Sequence, residues 1–280
     1  MPLDDTWRIE RDAPEERAYA ALAADRRWNG YSIADLAPAT RAWTRVAIAG
    51  RRGEAGAACL FYGHPAFNSL IPHGNPAGVA AILADAAAGS LLPAATYVLA
   101  QERHIPALTE HYHFPQGHGA MLRMAVDRVS FAPPTGEPSP AIRLNEADFA
   151  PLSALYDTYP DGVFTADQLA HGVFYGVREG GAIVAAGGTH VVAAEYGLAA
   201  VGNVFVAPAA RGRGLGGAVT AAIVGELLAG PCREVILNVA ADNAAAQKIY
   251  RRLGFVPHCP YSEASAVLRQ PGVSPRDDTP

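Results

Sequence analysis

The chain predicts a mixed α/β (α+β) protein built from two tandem halves of similar order. Two observations carry this. Apolar residues switch repeatedly between alternating and helical spacing, and the same succession of strand, helix, strand, helix and strand is found in both halves. Between the halves, Ala-Pro-Pro-Thr-Gly-Glu-Pro-Ser-Pro at residues 132–140 holds four prolines and a glycine, which resist helix and strand alike. With 280 residues there is length for two ordinary domains. The expected division is a first domain at 1–131, a linker at 132–140, a second domain at 141–270 and a flexible tail at 271–280.

Composition narrows the class of protein. Half of the residues are hydrophobic (50%) and 18% are charged, as in a soluble globular protein. The net charge is −5 and Lys248 is the only lysine, so the sequence points to no nucleic-acid partner. Cys59, Cys232 and Cys259 are far apart, fit no metal or disulfide pattern and suit a reducing compartment. The start, Met-Pro-Leu-Asp-Asp-Thr-Trp, has no basic segment followed by an apolar core, and no apolar run reaches transmembrane length. The expected location is the cytoplasm, away from membranes, as a monomer or homodimer.

In the first half, periodicity predicts a helix near 13–24 and strands near 44–49 and 57–62, then a turn at His64-Pro65. Asn75-Pro76-Ala77-Gly78 opens a helix to about residue 88. A strand at 95–100, a short helix at 102–112 and a strand at 120–126 follow. Setting Ala100 beside Ala241 brings Phe114 beside Phe255 without a gap, and Gly78 then falls within about one helical turn of Gly214. The first half therefore reads as a degenerate copy, with Thr109 where the second half has Tyr250. His104, His111, His113 and His118 complete no recognisable ligand set, so no metal site is expected.

The second half predicts a strand at 141–144, helices at 146–156 and 165–172, and a hairpin of strands 174–178 and 182–192 turning at Glu179-Gly180-Gly181. A third strand ends at Val206. Pro208 stops it, and from Leu215 apolar residues recur at helical spacing through Val219, Ile223, Val224, Leu227 and Leu228. The helix thus begins inside Arg211-Gly212-Arg213-Gly214-Leu215-Gly216. A helix start presents unpartnered N–H groups and partial positive charge, glycines let an anion approach, and Arg211 and Arg213 add formal charge. This is a phosphate or pyrophosphate cradle. Gly212, Gly214 and Gly217 also match the G-x-G-x-x-G of dinucleotide-binding oxidoreductases, but residues 207–211 separate the strand from the glycines, and Glu234 precedes the next strand instead of ending it. After that strand (234–240) come a helix at 243–253 and closing strands at 255–258 and 264–268.

The glycine segment fits the Arg/Gln-x-x-Gly-x-Gly/Ala signature of the Gcn5-related N-acetyltransferase (GNAT) superfamily. Leu237-Asn238-Val239, Asn243, Ala246, Ile249-Tyr250 and Leu253-Gly254-Phe255 resemble its following motif. The resemblance covers roughly residues 141–269, and the first half as a degenerate relative. It implies, for each domain, a mostly antiparallel central sheet flanked by helices, with a splayed parallel strand pair in the second. It further implies acetyl-CoA as cosubstrate without a metal, and a small-molecule or peptide amine as acceptor. The pyrophosphate would lie on Arg211, Gly212, Arg213, Gly214, Leu215 and Gly216. The pantetheine arm would lie along Val204, Phe205 and Val206, opposite Asn238, with Asn243 and Ala246 alongside.

In this family's pattern Tyr250 stands where a tyrosine protonates the departing thiolate, which suits a phenol. Asn243, Ala246 and Tyr250 share one helix face. A glutamate often found on the strand before the loop is replaced by Asn203, which cannot take a full proton, so His190 on the neighbouring strand is the candidate base. Asn203 and Tyr156 are candidate acceptor contacts, in a region that also holds Tyr159, Asp161, Glu195 and Tyr196. The alternative to catalysis is a protein that binds acyl-CoA without turning it over.

Overall fold

The computed structural model describes residues 6–51, 54–65, 67–135, 139–159 and 164–270. The expected tail, Asp161 and part of the expected linker lie outside them. The chain divides into two compact units. One takes the described residues up to Leu122 together with those from Cys259 on; the other takes Arg123–His258. The division does not fall at the proline-rich segment, and packing explains why. Arg128 donates from Nε to the Leu228 carbonyl (2.8 Å) and from Nη2 to that of Gly230 (2.6 Å), satisfying the end of a second-half helix. The backbone at Ser130 lies so close to Gly254 that a Cβ there would be 1.8 Å from the Ser130 oxygen. Proline and glycine break regular structure locally, but they do not decide which neighbours the flanking residues take.

The first unit contains β1 (Arg8–Glu10), α1 (Glu15–Leu22), α2 (Gly30–Ala34), β2 (Thr44–Arg51), β3 (Glu54–His64), β4 (Phe67–Gly74), α3 (Pro76–Ala88), β5 (Ala95–Ala100), α4 (Ile105–Thr109), β6 (Tyr112–His113) and the start of β7 (Gly119–Asp127). β1 to β4 pair antiparallel in order, and β4 runs parallel to β5. The chain's last strand, from Ser262 to Val267, lies antiparallel on the far side of β5. α3 packs Val79, Ile82, Leu83 and Ala86 on the sheet residues Ala47, Cys59, Leu70 and Val98.

Besides the short β1, three stretches differ from expectation here. β4 was not foreseen, because Pro72 interrupts it; the missing N–H falls beyond the end of the β4–β5 ladder, an edge position where proline is tolerated. α2 is too short to show a period. The expected helix at 102–112 is a 3₁₀ turn, Glu102–His104, followed by α4 and β6.

The second unit contains the rest of β7, then β8 (Ile142–Arg143), α5 (Phe149–Tyr156), α6 (Ala166–His171), β9 (Tyr175–Glu179), β10 (Ala182–Ala193), β11 (Leu198–Val206), α7 (Leu215–Ala229), β12 (Glu234–Ala240), α8 (Ala244–Arg252) and the first residues of β13 (Val256–Leu268). β8 to β11 pair antiparallel in order, and β12 adds parallel to β11. Capping boxes at Asn145/Asp148 and Thr165/Gln168 start the helical turns before α5 and in α6. α7 buries Val219, Ile223, Val224, Leu227 and Leu228 as its period requires, each contributing about 1.5–3 kcal/mol on full burial. The two expected closing strands are one continuous β13, which passes through Pro257 and Pro260. Among the described residues no helix is long and apolar enough to cross a membrane.

Candidate active site

The site begins where two strands part. β11 and β12 pair from Leu198↔Glu234 to Val201↔Leu237, and there the ladder between them ends. β11 runs on to Val206 with its other edge held by β10, through Gly202↔Gly188, Phe205↔Ala186 and Val206↔Ala185. The edge of residues 202–206 turned toward β12 is therefore released from the sheet, a strand edge open to an extended ligand carrying amides. The expected splayed pair is present.

Both β10 and β11 bulge at this point. Between the pairs Gly188↔Gly202 and Ala186↔Phe205, β11 carries an extra residue, and Asn203 adopts a left-handed conformation with φ 53°. Between Thr189↔Val201 and Val191↔Ala200 the extra residue is His190 on β10. The bulges bring together residues distant in the chain. Asn203 Oδ1 lies 3.2 Å from His190 Nε2, and the Tyr156 hydroxyl donates to the Asn203 carbonyl at 2.6 Å. A Cβ on Gly202 would stand 2.0 Å from His190 Nε2, so the imidazole rests directly on that glycine's backbone. His190 is exposed, whereas Tyr156 is buried at the end of α5 with Phe164 at 5.0 Å. Burial, and then the neighbouring Tyr159, push the Tyr156 phenol well up, so it stays a donor.

Beyond β11 a 3₁₀ turn, Pro208–Ala210, leads into the glycine loop. Gly212 and Gly214 have φ of 78° and 77°, and a Cβ on either would meet nothing within 4 Å. These glycines serve backbone conformation over an open surface. Gly214 is the N-cap of α7 and no side chain caps the helix. Its first turn, Leu215, Gly216 and Gly217, points unspent N–H groups outward, while buried Leu215 anchors it.

The two arginines differ. Arg211 is exposed, with Nε on the Val206 carbonyl (3.2 Å) and its guanidinium 5.9 Å from the Phe205 ring centre. Arg213 makes a bidentate pair with Glu179 at the end of β9, and hydrogen bonding to that carboxylate holds Glu179 below the usual carboxylate range. The charge expected from Arg213 is thus already matched, and the loop's positive character comes from Arg211 and the helix start.

On α8, Asn243 is the N-cap and its Oδ1 accepts from the Ala246 N–H at 3.0 Å. Its oxygen is taken by the helix, which leaves the amide NH₂ for any ligand contact. Asn238 Oδ1 likewise accepts from Arg123 Nε at 2.7 Å, so this side chain serves the fold. Tyr250 is 8% exposed and packs against Phe255 at 5.8 Å. Burial, with Tyr159 nearby, pushes its phenol up to about 12, so it carries its proton at neutral pH.

Residues 142–255 match the acetyltransferase (GNAT) family. That segment resembles a GNAT domain. A mycothiol acetyltransferase from Mycolicibacterium vanbaalenii is 36% identical over 151 residues, covering 51% of this chain and 44% of that protein. One from Amycolatopsis mediterranei is 45% identical over 67 residues, covering 23% of this chain and 22% of that protein. The chain thus spans less than half the length of these curated relatives. Among solved structures, a tandem GNAT protein from the clavulanic acid biosynthesis pathway superposes with a TM-score of 0.58 at 13% identity, over 96% of this chain and 100% of that one. The tandem arrangement shared with that structure is one of fold.

In this segment the structure brings one further residue to the candidate site, Tyr159, which the sequence shows only as a loop residue. Tyr159 stacks on Phe205 (4.8 Å, planes 14° apart) and lies near both Tyr156 and Tyr250. Its position just past α5 showed only that it followed a helix. The pairing depends on how β11 runs beneath it. Glu195 and Tyr196 sit in the 3₁₀ turn before Gly197, at the opposite end of β11 from the glycine loop.

Proposed function

We propose that the chain transfers acetyl from acetyl-CoA to a primary amine by direct attack in a ternary complex. The observation that carries this is the uncapped start of α7, with its left-handed glycines, at the end of a strand whose edge has left the sheet. The acyl group follows the names of the mycothiol acetyltransferases it resembles. The loop from Arg211 to Gly216 would hold the pyrophosphate on backbone N–H groups, and the 202–206 edge would bond the pantetheine amides. Arg213 would join once the anion competes with Glu179.

In the reaction the amine nitrogen forms a bond to the thioester carbonyl carbon and the carbon–sulfur bond breaks. His190 takes the amine proton, directly or through water, and the Tyr250 hydroxyl gives its proton to the departing thiolate. The first unit, in this reading, is a degenerate copy without acyl-CoA chemistry, and the protein works in the cytoplasm without a metal, as a monomer or homodimer.

The test is release of CoA thiol from acetyl-CoA across a panel of primary amines, with a parallel binding measurement for CoA. Turnover with at least one amine, lowered about 100-fold in Tyr250→Phe, supports the reading. Tight CoA binding without turnover across the panel would favour a non-catalytic acyl-CoA binder, and binding of NADH in place of CoA would overturn both.

A further inference from the structure

We propose that Tyr156 is a positioning residue for His190, acting through the left-handed bulge at Asn203; this rests on the reading of His190 as the proton acceptor. Outside glycine, a left-handed residue is strained unless local bonds hold it, and asparagine tolerates it best. Asn203 has φ 53°, and its own carbonyl accepts from the buried Tyr156 hydroxyl at 2.6 Å. The tyrosine ring is wedged by Phe164 at 5.0 Å, so the hydroxyl is a fixed point to which the bulge is tied.

The tie sets the direction of the Asn203 side chain, whose Oδ1 lies 3.2 Å from His190 Nε2. An amide oxygen only accepts, so it selects the tautomer with the proton on Nε2 and the lone pair on Nδ1. The ring is also seated on Gly202, where any Cβ would collide with it. Tyr156 therefore acts on the choice of tautomer through Asn203, without touching the imidazole. The sequence reading placed Tyr156 as an acceptor contact; the bond to Asn203 gives it a different task.

The experiment uses the full chain. The His190 ring tautomer is read by long-range ¹H–¹⁵N NMR, and kcat and KM for acetyl-CoA are read by thiol release, in the parent, Tyr156→Phe, Asn203→Gly and the double variant. Tyr156→Phe keeps the ring and removes one hydrogen bond. It is expected to mix the two tautomers and lower kcat roughly fivefold, with KM for acetyl-CoA within about twofold. Asn203→Gly keeps a left-handed backbone by itself and lacks the oxygen, so Tyr156→Phe should have no further effect in that background. A parent-like tautomer in Tyr156→Phe, or the same loss in both backgrounds, overturns the proposal. Failure of the underlying reading shows separately, as an unchanged kcat in His190→Ala, because the NMR readout does not depend on turnover.

Discussion

Each unit contains a parallel strand pair in front of a helix, and each pair stops short of the strand ends. In the first unit the ladder ends at Leu70↔Val98, and the carbonyls beyond it are taken internally: Trp28 Nε1 donates to Pro72 (3.1 Å) and His104 Nε2 lies 3.0 Å from that of Gly74. The helix behind is closed as well. Asn75 caps α3 by accepting from the Ala77 N–H, Pro76 supplies no donor, and Trp7 stands 3.2 Å from where a Gly78 Cβ would be. In the second unit the ladder ends at Val201↔Leu237, and the helix behind it begins at uncapped Gly214. Side chains take carbonyls beyond the ladder in the second unit too, those of Asn203 and Val206, so the units differ at the helix start, capped in one and uncapped in the other. Spare donors at a helix start, more than the strand geometry, distinguish the two units.

The sharpest way to break this comparison is at the matched positions Tyr250 and Thr109. Tyr250→Phe should lower kcat about 100-fold with CoA affinity unchanged, whereas Thr109→Val should leave kcat alone; steady-state kinetics of the two variants decide it. Next come the helix starts. Gly214→Val forces a branched residue into φ 77°, and acetyl-CoA affinity should fall at least about tenfold by calorimetry. Gly78→Ala, whose Cβ would lie 2.7 Å from that of Ala57, should instead cost about 1–3 kcal/mol of stability and leave affinity intact.

His104 tests the filled gap. His104→Leu leaves the Gly74 carbonyl without its donor and should cost about 1–3 kcal/mol in urea unfolding. Burial lowers the His104 pKa to about 4 from 6.5. Between these values the unfolded chain binds a proton that the folded one refuses. This contribution is therefore complete above pH 6.5 and is lost as pH falls toward 4, a slope that His104→Leu should flatten. The smallest effect is expected from Glu179→Gln, which frees Arg213 and should raise CoA affinity by no more than about threefold, only at low salt.

Much of the open site was legible because it rests on local rules. Glycines before a helix start, a helix period starting at Leu215, and Asn243, Ala246 and Tyr250 on one face are all set within a few residues of one another. What remained hidden depends on distant partners. The bulge at Asn203 needs a β10 neighbour and a tyrosine on α5; the neutralisation of Arg213 needs a carboxylate on the β9 hairpin. β4 was obscured by Pro72, whose tolerance depends on where a ladder ends. The unit boundary was misplaced for the same reason, since Arg128 and Ser130 choose partners on the far side of the proline segment.

The passage of β13 into the first unit gives the protein a fixed order of assembly during synthesis. The second unit is contiguous in the chain, while the first needs residues 262–267 to cover the edge of β5. At ordinary rates of translation that edge waits on the order of ten seconds for its neighbour. The second unit can therefore be complete on the ribosome before the unit that precedes it in the chain. A truncation near the C-terminus would strike the N-terminal half, exposing a strand edge that invites aggregation.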